Sequence, residues 1–167
     1  MISQQSIIEA LNLQPHPEGG FFKETYRSQG EIPKEGLPQM FNGKRNYATG
    51  IYFLISSEAF SAFHKVNQDE MWHFYLGSPI TLHQINPKGD YQKIIIGSDI
   101  FSNQQLQYTV PGNCWFAAEV EVKNGFALVG CTVSPGFDFA DFTLANRGEL
   151  ISTFPQHQTL IERLTRQ

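Results

Sequence analysis

From Phe21 onward the chain runs in short alternating stretches of apolar and polar residues: FFKETYRS, TGIYFLI, FSAFHKV, MWHFYL, ITLHQI, QKIII, LQYTV, CWFAAEV and FALVGCTV. Clusters of Gly, Pro, Asn and Asp separate them. Neighbouring side chains on a strand point to opposite faces, so each stretch offers one face to a core and the other to solvent or a second layer. The β-branched and aromatic content fits that reading. Many short strands at such spacing predict an all-β sandwich or barrel.

The two ends depart from this period. Ser6-Ile-Ile-Glu9 has the form of a capping box, and Ile7, Ile8 and Leu11 fall on one helical face before Pro15 and Pro17. A short leading helix is expected. Helical spacing returns after Arg147 at Leu160, Ile161 and Leu164, with Pro155 as a break, predicting two short helices outside the sheets. The segment 29–46, QGEIPKEGLPQMFNGKRN, has no periodicity and reads as a long loop or a flap over one barrel end. Without internal repeats or a long linker, residues 1–167 are expected to form one domain.

A chain of 167 residues buries about two thirds of its unfolded surface. Hydrophobic residues make up 41% and charged residues 17%, with 14 Phe, which excludes a disordered chain. The net charge is −4 and the basic residues are scattered, so nucleic acid is not an expected partner. The amino-terminal stretch lacks a basic start and a sustained apolar run, and no segment is long enough to cross a bilayer. A cytoplasmic protein without a membrane partner is expected. Cys114 and Cys131 lie in strand-like segments without a CxxC pattern, as reduced core thiols would.

The segment FHKVNQDEMWHFYLG sets His64, Val66, Glu70 and Gly77 at the spacing of the first cupin motif, G-x5-H-x-H-x3,4-E-x6-G. VPGNCWFAAE, Val110 to Glu119, echoes the second motif, with Pro111 and Gly112 adjacent and Trp115 near the family's histidine. HPEGGFFKETYRS (16–28), DEMWHFYLG (69–77) and SPGFDFADF (134–142) occur in the order of the cupin-type-5 branch, which the chain resembles over nearly its whole length. The resemblance implies a double-stranded β-helix, the cupin jelly-roll barrel, with a pocket at one end and pairing into a homodimer.

Metal-dependent cupins use three histidines and a glutamate. His64 and Glu70 match two of these positions, whereas Val66 and Trp115 have no lone pair for a divalent ion, so no metal and no cofactor is expected. His73 and His83 are the nearest residues for recruitment, but alternation from Glu70 turns Trp72 and Phe74 inward and His73 outward unless a bulge intervenes. Without a metal, His64 is the candidate catalytic base and Glu70 its partner. Tyr52 or Tyr75 would be the complementary acid, as in the metal-free deoxysugar-nucleotide epimerases that share the barrel. Trp72, Phe74, Tyr52, Tyr75, Trp115 and His73 are candidate ligand-binding residues, and Phe116 adds apolar surface. His16, Glu18 and the Gly19-Gly20 pair form either a turn or a loop over the pocket mouth. Asp138 and Asp141, three apart, would face opposite ways on a strand. The expected partner is a small-molecule ligand. The expected function is a metal-independent isomerase or epimerase on a carbohydrate-like or nucleotide-sugar substrate. The alternatives are a non-catalytic metabolite-binding protein and a metal-dependent oxygenase or isomerase.

Overall fold

The computed structural model describes residues 2–166; Met1 and Gln167, part of the expected 1–167 domain, lie outside them. The elements are α1 (Gln4–Leu11), β1 (Gln14–Pro15), β2 (Phe21–Arg27), β3 (Glu31–Ile32), β4 (Arg45–Asn46), β5 (Thr49–Ser56), β6 (Phe60–Val66), β7 (Asp69–Gly77) and β8 (Ile80–Ile85). They continue as β9 (Tyr91–Ile96), β10 (Gln107–Val110), β11 (Trp115–Glu119), β12 (Phe126–Ser134), β13 (Phe142–Leu144), α2 (Arg147–Thr153) and α3 (Gln158–Arg163). Two antiparallel sheets face each other, ordered β1-β2-β5-β12-β7-β10 and β13-β6-β11-β8-β9. The order mixes early and late strands in both sheets, as in a jelly roll. The expected all-β architecture with short terminal helices is the one found.

The alternation fixes what lies between the sheets. Phe53 and Ile55 of β5, Trp72 of β7, Leu82 of β8, Phe116 of β11 and Val129 of β12 share one buried core. A second apolar layer lies outside the five-stranded sheet, where Phe63, Ile85 and Ala117 meet Leu150 and Phe154 of the α2 region and Ile161 and Leu164 of the α3 region. A third lies outside the other sheet, where Ile7 of α1 covers Leu54 and Leu128. The helices therefore seal faces that the strands leave apolar.

Helix α1 begins three residues earlier than the expected capping box. Ser3 is the N-cap, its hydroxyl accepting from Ser6 N–H at 3.1 Å while Ser6 Oγ accepts from Ser3 N–H at 3.0 Å. Ser6 thus does what Glu9 was expected to do, because a serine at the third helical position also reaches back to the cap. The helix stops at Asn12, in left-handed conformation at φ 51°, before either proline.

Segment 29–46 contains the β3–β4 ribbon and is anchored to the barrel. The Arg45 guanidinium makes two 2.7 Å hydrogen bonds to Asp141, with both side chains buried. Gln68 and Asn67 donate to the same carboxylate at 2.7 and 3.2 Å. Asp138 and Asp141 belong to a 3-10 turn, Phe139–Asp141, and not to a strand where they would face opposite ways: Asp138 caps the turn, accepting from Ala140 N–H at 2.8 Å.

Candidate functional site

Between β1 and β2 the chain turns through His16-Pro17-Glu18-Gly19-Gly20. Gly19 and Gly20 take φ values of 114° and 72°, which only glycine adopts readily, and a Cβ on Gly19 would lie 2.2 Å from the Phe60 carbonyl oxygen. The turn belongs to the six-stranded sheet yet docks on the opposite one: Ala62 N–H donates to Glu18 O at 2.8 Å. Arg166 donates to that same carbonyl at 3.0 Å. This crossing carries the Glu18 side chain inward, where Ser61 Oγ–H donates to Oε1 at 2.8 Å.

The turn closes one end of a cavity of about 280 Å³. Its interior polar residues are His16, Glu18, Thr49, His64 and Glu70. Phe22, Phe53, Phe137, Phe139 and Phe142 supply phenyl walls, with Ile51, Val66 and Cys131 between them. Glu24, Arg27 and Asp138 complete the lining from more exposed positions.

Hydrogen-bonding capacity fixes the protons in this cluster. His64 Nδ1 lies 2.8 Å from the Ala62 carbonyl, which can only accept, so Nδ1 carries hydrogen. His64 Nε2 then faces Glu18 Oε2 at 3.1 Å, and one proton must lie on that line, on the carboxyl or the imidazole. Glu18 N–H donates to His16 Nδ1 at 3.3 Å, so neutral His16 carries its hydrogen on Nε2. That nitrogen has no hydrogen-bond partner among the described residues. Burial lowers the pKa of both histidines and raises that of Glu18, so the cavity disfavours the charged form of each group.

Glu70 stands apart from these bonds. It is 8% exposed and lines the cavity, and its nearest donors, the Cys131 thiol and the Trp72 indole, reach it only weakly. Burial pushes its carboxyl up to about 7, against the pull of nearby His64; Glu18 adds to the rise, while the Cys131 thiol and Trp72 indole moderate it. The Trp72 Nε1–H is itself buried and without a partner. Two polar groups thus lack a full complement of bonds beside one another.

Of the residues expected at the site, the structure brings His64 and Glu70 to the cavity and sets the other six elsewhere. Trp72 is fully buried in the core, edge-on to Phe53 and Phe116, and Phe74 packs against that core. Tyr52 and Tyr75 form an edge-to-face pair 6.0 Å apart on the outer side of the six-stranded sheet, because they alternate with inward Phe53 and Phe74. His73 also faces out, bonded to Thr132 Oγ1 at 3.0 Å. Trp115 lies outside the five-stranded sheet beside α2 and α3, with Lys65 Nζ 4.9 Å above its ring. Its neighbour Phe116 is the residue that faces inward, 4.1 Å from the His64 ring centroid. His83 bonds Tyr91 and Glu119 away from the cavity. Segment 29–46 contributes nothing to the lining. Sequence reasoning placed His16 and Glu18 near a pocket mouth, but they sit inside; Phe137, Phe139 and Phe142 were seen only as part of a motif.

The profile of the family described as cupin superfamily (DUF985) matches residues 5–145. The chain belongs to the cupin superfamily. This cupin is 32% identical over 151 residues to the uncharacterized protein YML079W of Saccharomyces cerevisiae, covering 84% of the present chain and 74% of the yeast protein. Among solved structures it is similar to protein SO0799 from Shewanella oneidensis, with 35% identity, a TM-score of 0.90 and 99% of each chain covered. A hypothetical protein from Leishmania major gives 33% identity and a TM-score of 0.90, over 99% of this cupin and all of that chain at 100%.

The metal that many cupins hold does not fit these residues. Val66 lines the cavity without a donor atom, Trp115 points away and Phe116 fills the inward position. Both His64 nitrogens are engaged by Ala62 and Glu18. Among the described residues no group of three or more His, Cys, Asp or Glu is arranged to hold a metal ion. No helix among them is long and apolar enough to cross a membrane.

Proposed function

We propose that the cavity is a metal-independent acid–base site, an isomerase centre that moves a proton on a small molecule next to a carbonyl or imine. The observation that carries this reading is Glu70: nine-tenths buried on the cavity lining, held by no charged partner at bonding distance and poised near neutral pH. A carboxyl with that pKa gives and takes a proton at similar cost near pH 7. In the forward step Glu70 as carboxylate removes a proton from carbon. The electron pair moves to the carbonyl oxygen or imine nitrogen, toward which His16 Nε2–H donates, a neutral imidazole acting as electrophile. Return of that proton from Glu70, on the same face, to a carbon conjugated with the carbonyl or imine lets the electron pair move back and completes the isomerisation without any oxidant. The Glu18–His64 pair holds a second proton beside Glu70 and sets the field it titrates in.

This reading moves the catalytic base from His64 to Glu70, because His64 has no free nitrogen. It also disfavours a nucleotide sugar. About 280 Å³ is at or below the small end of ligand cavities, enough for one compact ring. The test is a thermal-shift screen of small carbonyl compounds followed by incubation of hits in deuterated water. Wild-type protein incorporates deuterium into the ligand, and Glu70→Gln binds but does not exchange; equal exchange by the variant would refute the assignment. The commitment of His64 to protein partners supports a second reading, a non-catalytic metabolite-binding protein, for which ligand binds and neither protein exchanges.

A further inference from the structure

The substrate class of this site follows from which groups in the cavity lack partners. We propose that it takes a compact planar nitrogen heterocycle, neutral or cationic, whose edge sets a hydrogen-bond donor beside an acceptor, and that it rejects phosphates, carboxylates and polyols. This rests on the acid–base reading above and narrows it.

Charge excludes the anions. The cavity holds two buried carboxyl groups, Glu18 and Glu70. Among the described residues its one cationic lining residue apart from the histidines, Arg27, is held by Glu24 at 2.9 and 2.7 Å and also donates to Asn46 Oδ1 and the Phe137 carbonyl. Four of its five N–H donors are used, and the single Nη2–H left over cannot form the two-donor fork that recognises phosphate or carboxylate. An anion entering here gives up its water in a poorly solvated space without gaining a free cationic partner.

Partner counting excludes the polyols. A sugar ring brings several hydroxyl groups, each of which loses water on entry and needs a replacement. The buried Thr49 hydroxyl on the lining already accepts from Phe137 N–H at 3.0 Å, which leaves, among the described residues, two strongly polar groups without a hydrogen bond of normal geometry: the Glu70 carboxyl, which accepts, and His16 Nε2–H, which donates. A heterocycle edge with one donor and one acceptor satisfies both. The walls suit a flat ring, since phenyl groups approach from several sides and His16 lies edge-on to Phe22 at 4.7 Å and stacked with Phe139 at 6.1 Å. Aromatic faces attract both planar rings and cations.

The experiment compares ring-sized probes on the intact protein: 2-aminopyrimidine, benzoate, phenyl phosphate and myo-inositol, by calorimetry at millimolar concentrations. 2-Aminopyrimidine is expected to bind at least about tenfold more tightly than the other three, the effect of one well-formed hydrogen bond to a charged group. His16→Phe keeps the aromatic wall but removes the donor, and Glu70→Gln keeps the shape but removes the carboxylate; each is expected to weaken 2-aminopyrimidine by about tenfold or more. Circular dichroism confirms that each variant is folded. Benzoate, phenyl phosphate or inositol binding as tightly as 2-aminopyrimidine, or no binding by any probe, overturns the assignment. If an anion wins while Glu70 still titrates near neutrality, the substrate class falls and the acid–base site stands. If 2-aminopyrimidine wins and Glu70 titrates as an ordinary carboxylate, the reverse holds.

Discussion

Glu18 Oε2 lies 3.1 Å from His64 Nε2, and because His64 Nδ1 already donates to Ala62, that contact requires one shared proton. Glu18→Gln keeps a donor toward His64 and an acceptor for Ser61, so its stability is expected within about 1 kcal/mol of wild type. Glu18→Ala leaves the imidazole and the Ser61 hydroxyl buried and unpaired, costing about 2–5 kcal/mol. Urea unfolding of the two variants measures the difference, and equal losses would show that the shared proton is not where the geometry sets it.

Glu70 makes stability depend on pH. Its folded-state value of about 7 exceeds the ordinary 4.5, so within that window the native state holds a proton that the unfolded chain releases. Stability from this group is therefore full below the ordinary value and is lost as pH rises through 7. Glu70→Gln removes the titration, while His16, His64 and Glu18 remain in both proteins. The variant's advantage over wild type should grow between these pH values by up to about 3 kcal/mol. Urea midpoints across the range test this, and a pH-independent difference would contradict it.

Arg45 and Asp141 lock segment 29–46 to the turn that carries Phe137 and Phe139. Asp141→Ala strands a buried guanidinium and deprives Asn67 and Gln68 of an acceptor, with an expected loss of about 3–5 kcal/mol. Hydrogen exchange should rise across 29–46 and 136–142 together. Protection unchanged in either segment would mean that the ion pair does not couple them.

Phe116 and Phe139 separate the barrel's core from its mouth. Phe116→Ala opens a void under His64 in the fully buried core and is expected to cost about 3–5 kcal/mol. Phe139 is 54% exposed, so its removal should cost less than about 1 kcal/mol while weakening ligand binding. Denaturation and calorimetry on the two variants check the contrast.

The barrel was legible because most of its strands alternate, although β2, β6 and β7 carry register shifts, and the same rule accounts for the outward positions of His73, Tyr52 and Tyr75. The second motif was harder. Trp115 and Phe116 are adjacent, and a shift of one residue exchanges the inner face for the outer. The compressed Pro111-Gly112 spacing gave no means to choose between them. His16 and Glu18 lie beside a two-residue strand, and what carries them inward is a long-range bond from Ala62 to the Glu18 carbonyl, which no local pattern encodes. The local signal was HPEGG itself, since two glycines in left-handed conformation allow a turn tight enough to press against β6. The Arg45–Asp141 pair spans 96 positions and had no local trace.

The central claim is that the cavity holds a carboxyl group able to exchange a proton at neutral pH. Carbon-13 NMR titration of carboxyl-labelled protein, with the Glu70 signal assigned by its loss in Glu70→Gln, tests this most directly. A Glu70 midpoint near 7 is the predicted result. A midpoint near the ordinary 4.5 would contradict the account.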